Sequence, residues 1–305
     1  MKSVSYHGWN NCVELSNKAV ELVLLADVGP RIIRFGFRGG ANELREFPDL
    51  EERGSKEQWH VRGGHRLWHA PEDLVRTYVP DNDPVAVTGL GAGLKAVQPV
   101  EKATGIRKEM EVSLVGERPS ARVLHRLVNE GPWPVKLAPW APTLLERGGR
   151  AIVALPPRGV HPTACAPTAT IALWPYTDMS DPRFHWGSRY VMVRQDPAES
   201  VTPQKIGVRT DAGWCAYWRA GHLFVKTFAH DKDRLYPEMN SPVTVFTNCH
   251  SMELETLGPL VILPSGGSVE YTETWTLFAE VPEPKDEMAV EAAVVPLALG
   301  APRDG

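Results

Sequence analysis

The sequence predicts an all-β fold built from short antiparallel strands, and three observations carry that expectation. The 305 residues include 27 prolines and 26 glycines, spread so evenly that few windows are long enough for a helix. Runs rich in Val, Ile, Thr and aromatic residues recur every 8 to 15 residues, bounded by Gly, Pro, Asn and Asp. Several runs alternate cleanly: Met110, Val112 and Leu114 fall on one face, while Glu109, Glu111 and Ser113 fall on the other. That period of two belongs to antiparallel sheets with one wet face.

In chain order, the strands expected first are residues 19–26, 31–37, 85–90, 105–114, 121–129 and 151–155. Residues 170–174, 189–194, 213–219, 223–228, 243–248, 251–257 and 268–279 follow. Helical candidates are few. Residues 43–59 are charged and loosely periodic, but Pro48 and Gly54 interrupt them. Residues 284–295 fit one short helix, with Pro284 near the first turn and acidic residues after it. The Ala/Pro/Gly-rich end, 295–305, is expected to fray. No repeat of fixed period and no Pro/Ser-rich linker divides the chain. One β domain over residues 1–282, with a C-terminal extension over 283–305, is the economical organisation.

Composition excludes several function classes. With 43% hydrophobic residues the chain is globular, and a net charge of -4 with interspersed signs argues against nucleic-acid binding. No run of 18 apolar residues occurs; the uncharged stretch 159–177 carries prolines and threonines that suit a membrane poorly. Residues 1–9 hold no apolar segment of signal-peptide type, so a cytoplasmic location without membrane association is expected. Cys12, Cys165, Cys215 and Cys249 form no C-x-x-C pair and are expected to be small buried hydrophobes.

Few motifs carry chemistry. Gly89-Leu90-Gly91-Ala92-Gly93 lacks the following helix that a phosphate loop needs, and reads as a turn. His65-Arg66-Leu67-Trp68-His69, with Glu72 beyond, comes nearest to a ligand cluster. No second spaced pair exists, so neither a metal nor another cofactor is expected. His125 lies on the apolar face of its strand and reads as a core histidine. In Ser251-Met252-Glu253-Leu254-Glu255-Thr256-Leu257, the strand period puts Met252 and Leu254 on one face and both glutamates on the other. Carboxylates at i and i+2 lie about 7 Å apart. On a poorly hydrated face one of them can be raised in pKa and serve as a general base; on a wet face they are ordinary surface residues. Ten tryptophans, including Trp59, Trp68, Trp133, Trp140, Trp174 and Trp186, suit either sugar-ring stacking or a large β core.

Several segments resemble the galactose mutarotase-like (aldose 1-epimerase-like) superfamily. They are Asn129-Glu130-Gly131-Pro132-Trp133-Pro134-Val135, Ala138-Pro139-Trp140-Ala141-Pro142-Thr143, and the C-terminal runs Leu254 to Pro259, Leu263 to Gly267 and Tyr271 to Trp275. Arg62-Gly63-Gly64 is similar to a hexose-phosphate epimerase segment in which an arginine approaches the ligand. The runs Gly63 to Glu72 and Glu253 to Leu260 look closer to an uncharacterised DUF4380-type branch. The resemblance spans about residues 8–280 and implies a β-supersandwich with its ligand cleft on a concave sheet face. It implies a small-molecule carbohydrate as partner, and Glu255 as the base that takes the anomeric hydroxyl proton. Arg62, Arg66, Trp68, His69, Glu253 and Trp140 are the candidate substrate-binding residues. The family's acid histidine is replaced within Ala138-Pro139-Trp140-Ala141, since an indole cannot transfer that proton. His65, His69 and Lys226 are then the candidate acids. A non-catalytic carbohydrate-binding protein, or lyase or hydrolase chemistry on the same scaffold, are the competing readings.

Overall fold

The structure, a computed structural model, describes residues 2–47, 57–198 and 200–303. Strand makes up 46% and helix 6%, and two large antiparallel sheets stack face to face. The front sheet runs Lys2–Tyr6, Trp9–Ser16, Val20–Leu25, Arg31–Phe37, His65–Arg66, Val135–Leu145, Met252–Leu257, Val243–Thr247, Gln204–Val208 and Ile171–Leu173. Trp68–Ala70 and Val261–Leu263 also pair with Val135–Leu145. The back sheet runs Phe184–Trp186, Tyr190–Arg194, Arg150–Ala154, Trp214–Arg219, His222–Phe228, Ser268–Phe278, Ser120–Asn129, Ile106–Leu114, Gly93–Val97 and Ala86–Leu90.

The main core lies between the sheets and takes alternate residues from each strand. Met252 and Leu254, Val243 and Val245, and Ile206 and Val208 point into it, against Phe224, Tyr217 and Trp275 of the back sheet. The residues between them therefore face away from the core, on the far side of the front sheet. That parity puts Glu253, Glu255, Thr244, Phe246 and Lys205 on one surface.

Val135–Leu145 is the central strand of the front sheet, although Pro139 and Pro142 punctuate it. Strand spacing passes over it for that reason, and only the family resemblance marks it as a strand. Proline loses its N–H but keeps its carbonyl, and Gly258 N–H donates to Pro139 O at 2.8 Å.

Two expectations about the ends change. The helical segment does not stop near Val295: Glu287–Ala289, a π turn over Val290–Val294 and Val295–Gly300 follow one another. Val290, Val294 and Ala298, four residues apart, bury against Ile152, Met192, Trp214 and Val225 on the outer face of the back sheet. Tertiary burial holds an end that composition alone marks as loose. Of the interrupted helical candidate over 43–59, residues 48–56 lie outside the described residues, and Leu44 and Glu46 make isolated β-bridges. Cys12 and Cys215 are buried as expected, but Cys165 is exposed and Cys249 half-buried, because both sit outside the strands. Among the described residues, no helix is long and apolar enough to cross a membrane.

Candidate functional site

A cavity of about 250 Å³ opens on the outer face of the front sheet. Trp59, Val61, Trp68, Tyr78, Tyr176 and Phe246 supply its apolar wall, and Arg66, Glu72, Lys205, Asn248, Glu253 and Glu255 its polar groups. Three neighbouring strands build the floor through their register. Lys205 pairs with Phe246, and Phe246 with Glu253; Thr244 pairs with Glu255.

Glu255 is 2% exposed and strongly anchored. Its Oε2 accepts from Trp140 Nε1–H at 2.9 Å and from the Thr244 hydroxyl, and Lys205 Nζ lies 3.5 Å away. Its Oε1 makes no hydrogen bond to any described residue. The carboxylate is thus fixed by one oxygen and offers the other. Trp140, 1% exposed, lies on the same face of the sheet as Glu255, beside Trp68 and Lys205, and donates its indole N–H to that carboxylate.

Lys205 bridges two acids: its Nζ is 3.2 Å from Glu72 Oε2 and sits 4.8 Å over the rings of both Trp140 and Trp174. Burial opposes its charge, but Glu255 and Glu72 outweigh that and hold the ammonium above the usual lysine range. Glu253 is bound differently. Arg66 Nη2 donates to its Oε2 at 3.2 Å, and Oε1 has no partner among the described residues. Burial lifts the Glu253 carboxyl above the usual range against the pull of Arg66, and the charge of Glu255 adds to the lift. Arg66 itself stacks 4.0 Å over Trp68. Tyr78 donates its hydroxyl to Glu72 Oε1 at 2.6 Å.

The segment that brings in Arg66 and Trp68 depends on Gly63 and Gly64, at φ +88° and +70°. A Cβ would meet Arg45 O at 2.1 Å in the first and Ile32 O at 2.3 Å in the second. Beyond that turn the parity is strict: Arg66 and Trp68 face the cavity, while His65, Leu67 and His69 face inward.

This parity separates the residues expected from sequence. Arg66, Trp68, Glu253 and Glu255 line the cavity, and Trp140 packs beside them against Trp68 and Lys205. Arg62 does not: its Nη2 donates to Asn82 Oδ1 at 2.5 Å and its guanidinium lies over Trp9, on the other side of the glycine turn. His69 lies on the inner side of its strand, with Nε2 3.6 Å from Glu101, which also pairs with Lys108. His65 and Lys226, expected as acids, sit wholly buried between the sheets, where no ligand in the cavity touches them.

Their buried network is self-contained. His125 Nδ1–H donates to Tyr271 O at 3.0 Å, which leaves Nε2 to accept from His65 Nε2–H at 2.7 Å. Thr143 Oγ1 then donates to His65 Nδ1 at 2.8 Å. Lys226 Nζ donates to Ala141 O, Leu254 O and Glu273 Oε1 at 3.0, 3.1 and 3.1 Å. His65, His125 and Glu273 have ligand atoms within 4.8 Å of one another. Those atoms are already engaged, and Lys226 beside them disfavours a cation.

Lys205, Thr244, Tyr78, Tyr176 and Phe246 escape a reading of the sequence. Lys205 lies in an alternating run, Gln204–Val208, whose parity was available, but nothing local ties residue 205 to residue 255. Only strand order does.

A scan against protein-family models finds no match, and no curated protein matches the chain. Solved structures do. A galactose mutarotase-like protein from Clostridium acetobutylicum superposes with a TM-score of 0.58 at 10% identity, over 91% of this chain and 98% of its own. A candidate aldose 1-epimerase from Klebsiella pneumoniae gives 0.57 at 12% identity, over 91% and 80%. A galactose mutarotase-like protein from Lactobacillus casei gives 0.53 at 9% identity, over 88% and 100%. Two stacked antiparallel sheets with this shared strand plan mean that the chain has the galactose mutarotase-like fold.

Proposed function

We propose that this cavity takes the ring of a carbohydrate and that Glu255 acts as general base at its anomeric hydroxyl, in an aldose 1-epimerase-like reaction. The observation that carries the reading is the state of Glu255: one oxygen held by Trp140, Thr244 and Lys205, the other without a hydrogen bond to any described residue, in a side chain that lines an aromatic-walled cavity. A base needs a fixed position and a free lone pair, and this one has both. Trp59, Tyr78 and Tyr176 offer apolar surface for the C–H side of a sugar, with Arg66 and Asn248 for its hydroxyls.

One observation favours a second reading, a non-catalytic carbohydrate-binding protein: none of the described residues lining the cavity is a histidine. Anomer interconversion of α-D-glucose, α-D-galactose and α-D-xylose, followed by polarimetry and NMR, separates the two. The expected result is acceleration over the spontaneous reaction that falls about 10²- to 10⁴-fold in Glu255→Gln. Equal acceleration by both proteins removes Glu255 as the base. Saturable binding of these sugars without acceleration makes the protein a binder.

A further inference from the structure

An epimerase needs an acid as well as a base, and the three acids expected from sequence all lie outside the cavity. We infer that Glu253 is the proton donor, delivering a proton to the ring oxygen while Glu255 receives the proton of the anomeric hydroxyl. This rests on the reading above, and it assigns the acid role to the same strand as the base.

The lining leaves few alternatives. Arg66 stays charged at any working pH. Lys205 is clamped between Glu72 and Glu255, so losing its proton would leave two facing carboxylates without their cation. Glu72 already accepts from Tyr78 and Lys205. Burial pushes the Tyr176 phenol up to about 12, too high for a useful acid near neutrality. Glu253 differs from all of these. It lines the cavity, keeps Oε1 free of protein partners among the described residues, and meets one cation through one oxygen only. Among the described residues, the charged and titratable groups around it are Arg66 beside it, Glu255 two residues along, Lys205 in its row of the sheet, and Glu72, Tyr78 and Tyr176 across the cavity. Burial and Glu255 together favour its protonated form. Glu255, by contrast, is held through one oxygen by Trp140, Thr244 and Lys205, so the two carboxyl groups of one strand face the cavity with different partners.

The step balances without any other reactant. Glu255 removes the O1 proton, the C1–O5 bond breaks as C1=O1 forms, and the bond pair goes to O5, which takes the Glu253 proton. The open-chain sugar turns about C1–C2. O5 then attacks the other carbonyl face, returns its proton to Glu253, and O1 recovers the proton from Glu255.

The test compares wild type, Glu253→Gln and Glu255→Gln on the same three sugars across pH, with carboxyl-labelled NMR of glutamate. Glu253→Gln should lose about 10²- to 10⁴-fold in kcat with little change in KM, and should lose the alkaline limb of the wild-type profile. The labelled Glu253 carboxyl should titrate with that same limb. Wild-type turnover in Glu253→Gln, with Glu255→Gln inactive, overturns the acid assignment and leaves the base intact. No acceleration by wild type overturns both.

Discussion

Trp140 shows what an indole can do for a buried carboxylate. An indole cannot exchange a proton as histidine does, but its N–H is a directed donor, and here it is spent on Glu255 Oε2 at 2.9 Å. Trp140→Phe keeps the ring packed against Trp68 and Leu257 and removes only that donor. Hydrogen bonds to charged groups contribute about 1.5–3 kcal/mol to stability, so Tm should fall measurably, and turnover should fall with it as the carboxylate loses its directed donor. A kcat unaffected by the change would show that Thr244 and Lys205 suffice to hold the base. The glutamates and their faces were legible in the sequence because strand parity is local. Trp140 was legible as a departure from the pattern the resemblance implies, but its bond to Glu255 was not, since the two residues are 115 positions apart.

At the scale of elements, Lys226 ties the two sheets together beneath the cavity. It rises from His222–Phe228 in the back sheet, and its three donors reach Ala141 and Leu254, in the strands that carry Trp140 and the two glutamates, and Glu273 beside it. Lys226→Met should cost about 3–5 kcal/mol of stability, because Glu273 is left buried without its cation. Replacing Glu273 by Leu in the same chain should recover part of that loss in urea titrations, since no unpaired charge then remains. An additive double variant would contradict a direct coupling. Strand parity sets Lys226 on the same face as Phe224 and Phe228, and in the structure that face is the core, so the residue lies between the sheets and not in the cavity.

For the whole molecule, the buried histidine pair makes stability depend on pH. Burial, with a smaller push from Lys226, lowers His125 to about 3, against the hydrogen bond to Tyr271, and His65 is lowered well below its usual value by burial first and then by His125. Above the unfolded value of about 6.5 both states are neutral and the stability is fully present. Between about 6.5 and 3 the unfolded chain binds protons that the folded protein refuses, so stability falls with falling pH, by at most about 1.4 kcal/mol per unit and group. The advantage of wild type over His125→Gln should therefore shrink from about pH 7 to about pH 4.5 in urea titrations. A constant difference would mean that the histidine does not carry the linkage.

What the sequence determined by itself is what local rules decide: the β class from dispersed Pro and Gly, most strand positions from apolar runs, and the common face of Glu253 and Glu255 from a period of two. The tertiary structure decided everything that depends on which strands become neighbours. Register across Gln204–Val208, Val243–Thr247 and Met252–Leu257 brought Lys205 and Thr244 to Glu255. Stacking of the sheets withdrew His65 and Lys226 into the core, and burial against the back sheet ordered the C-terminal helices. The reason is physical. Side-chain direction along a strand follows from the pleat of its own backbone, whereas the environment of a charge follows from partners dozens of residues away, which no local pattern encodes.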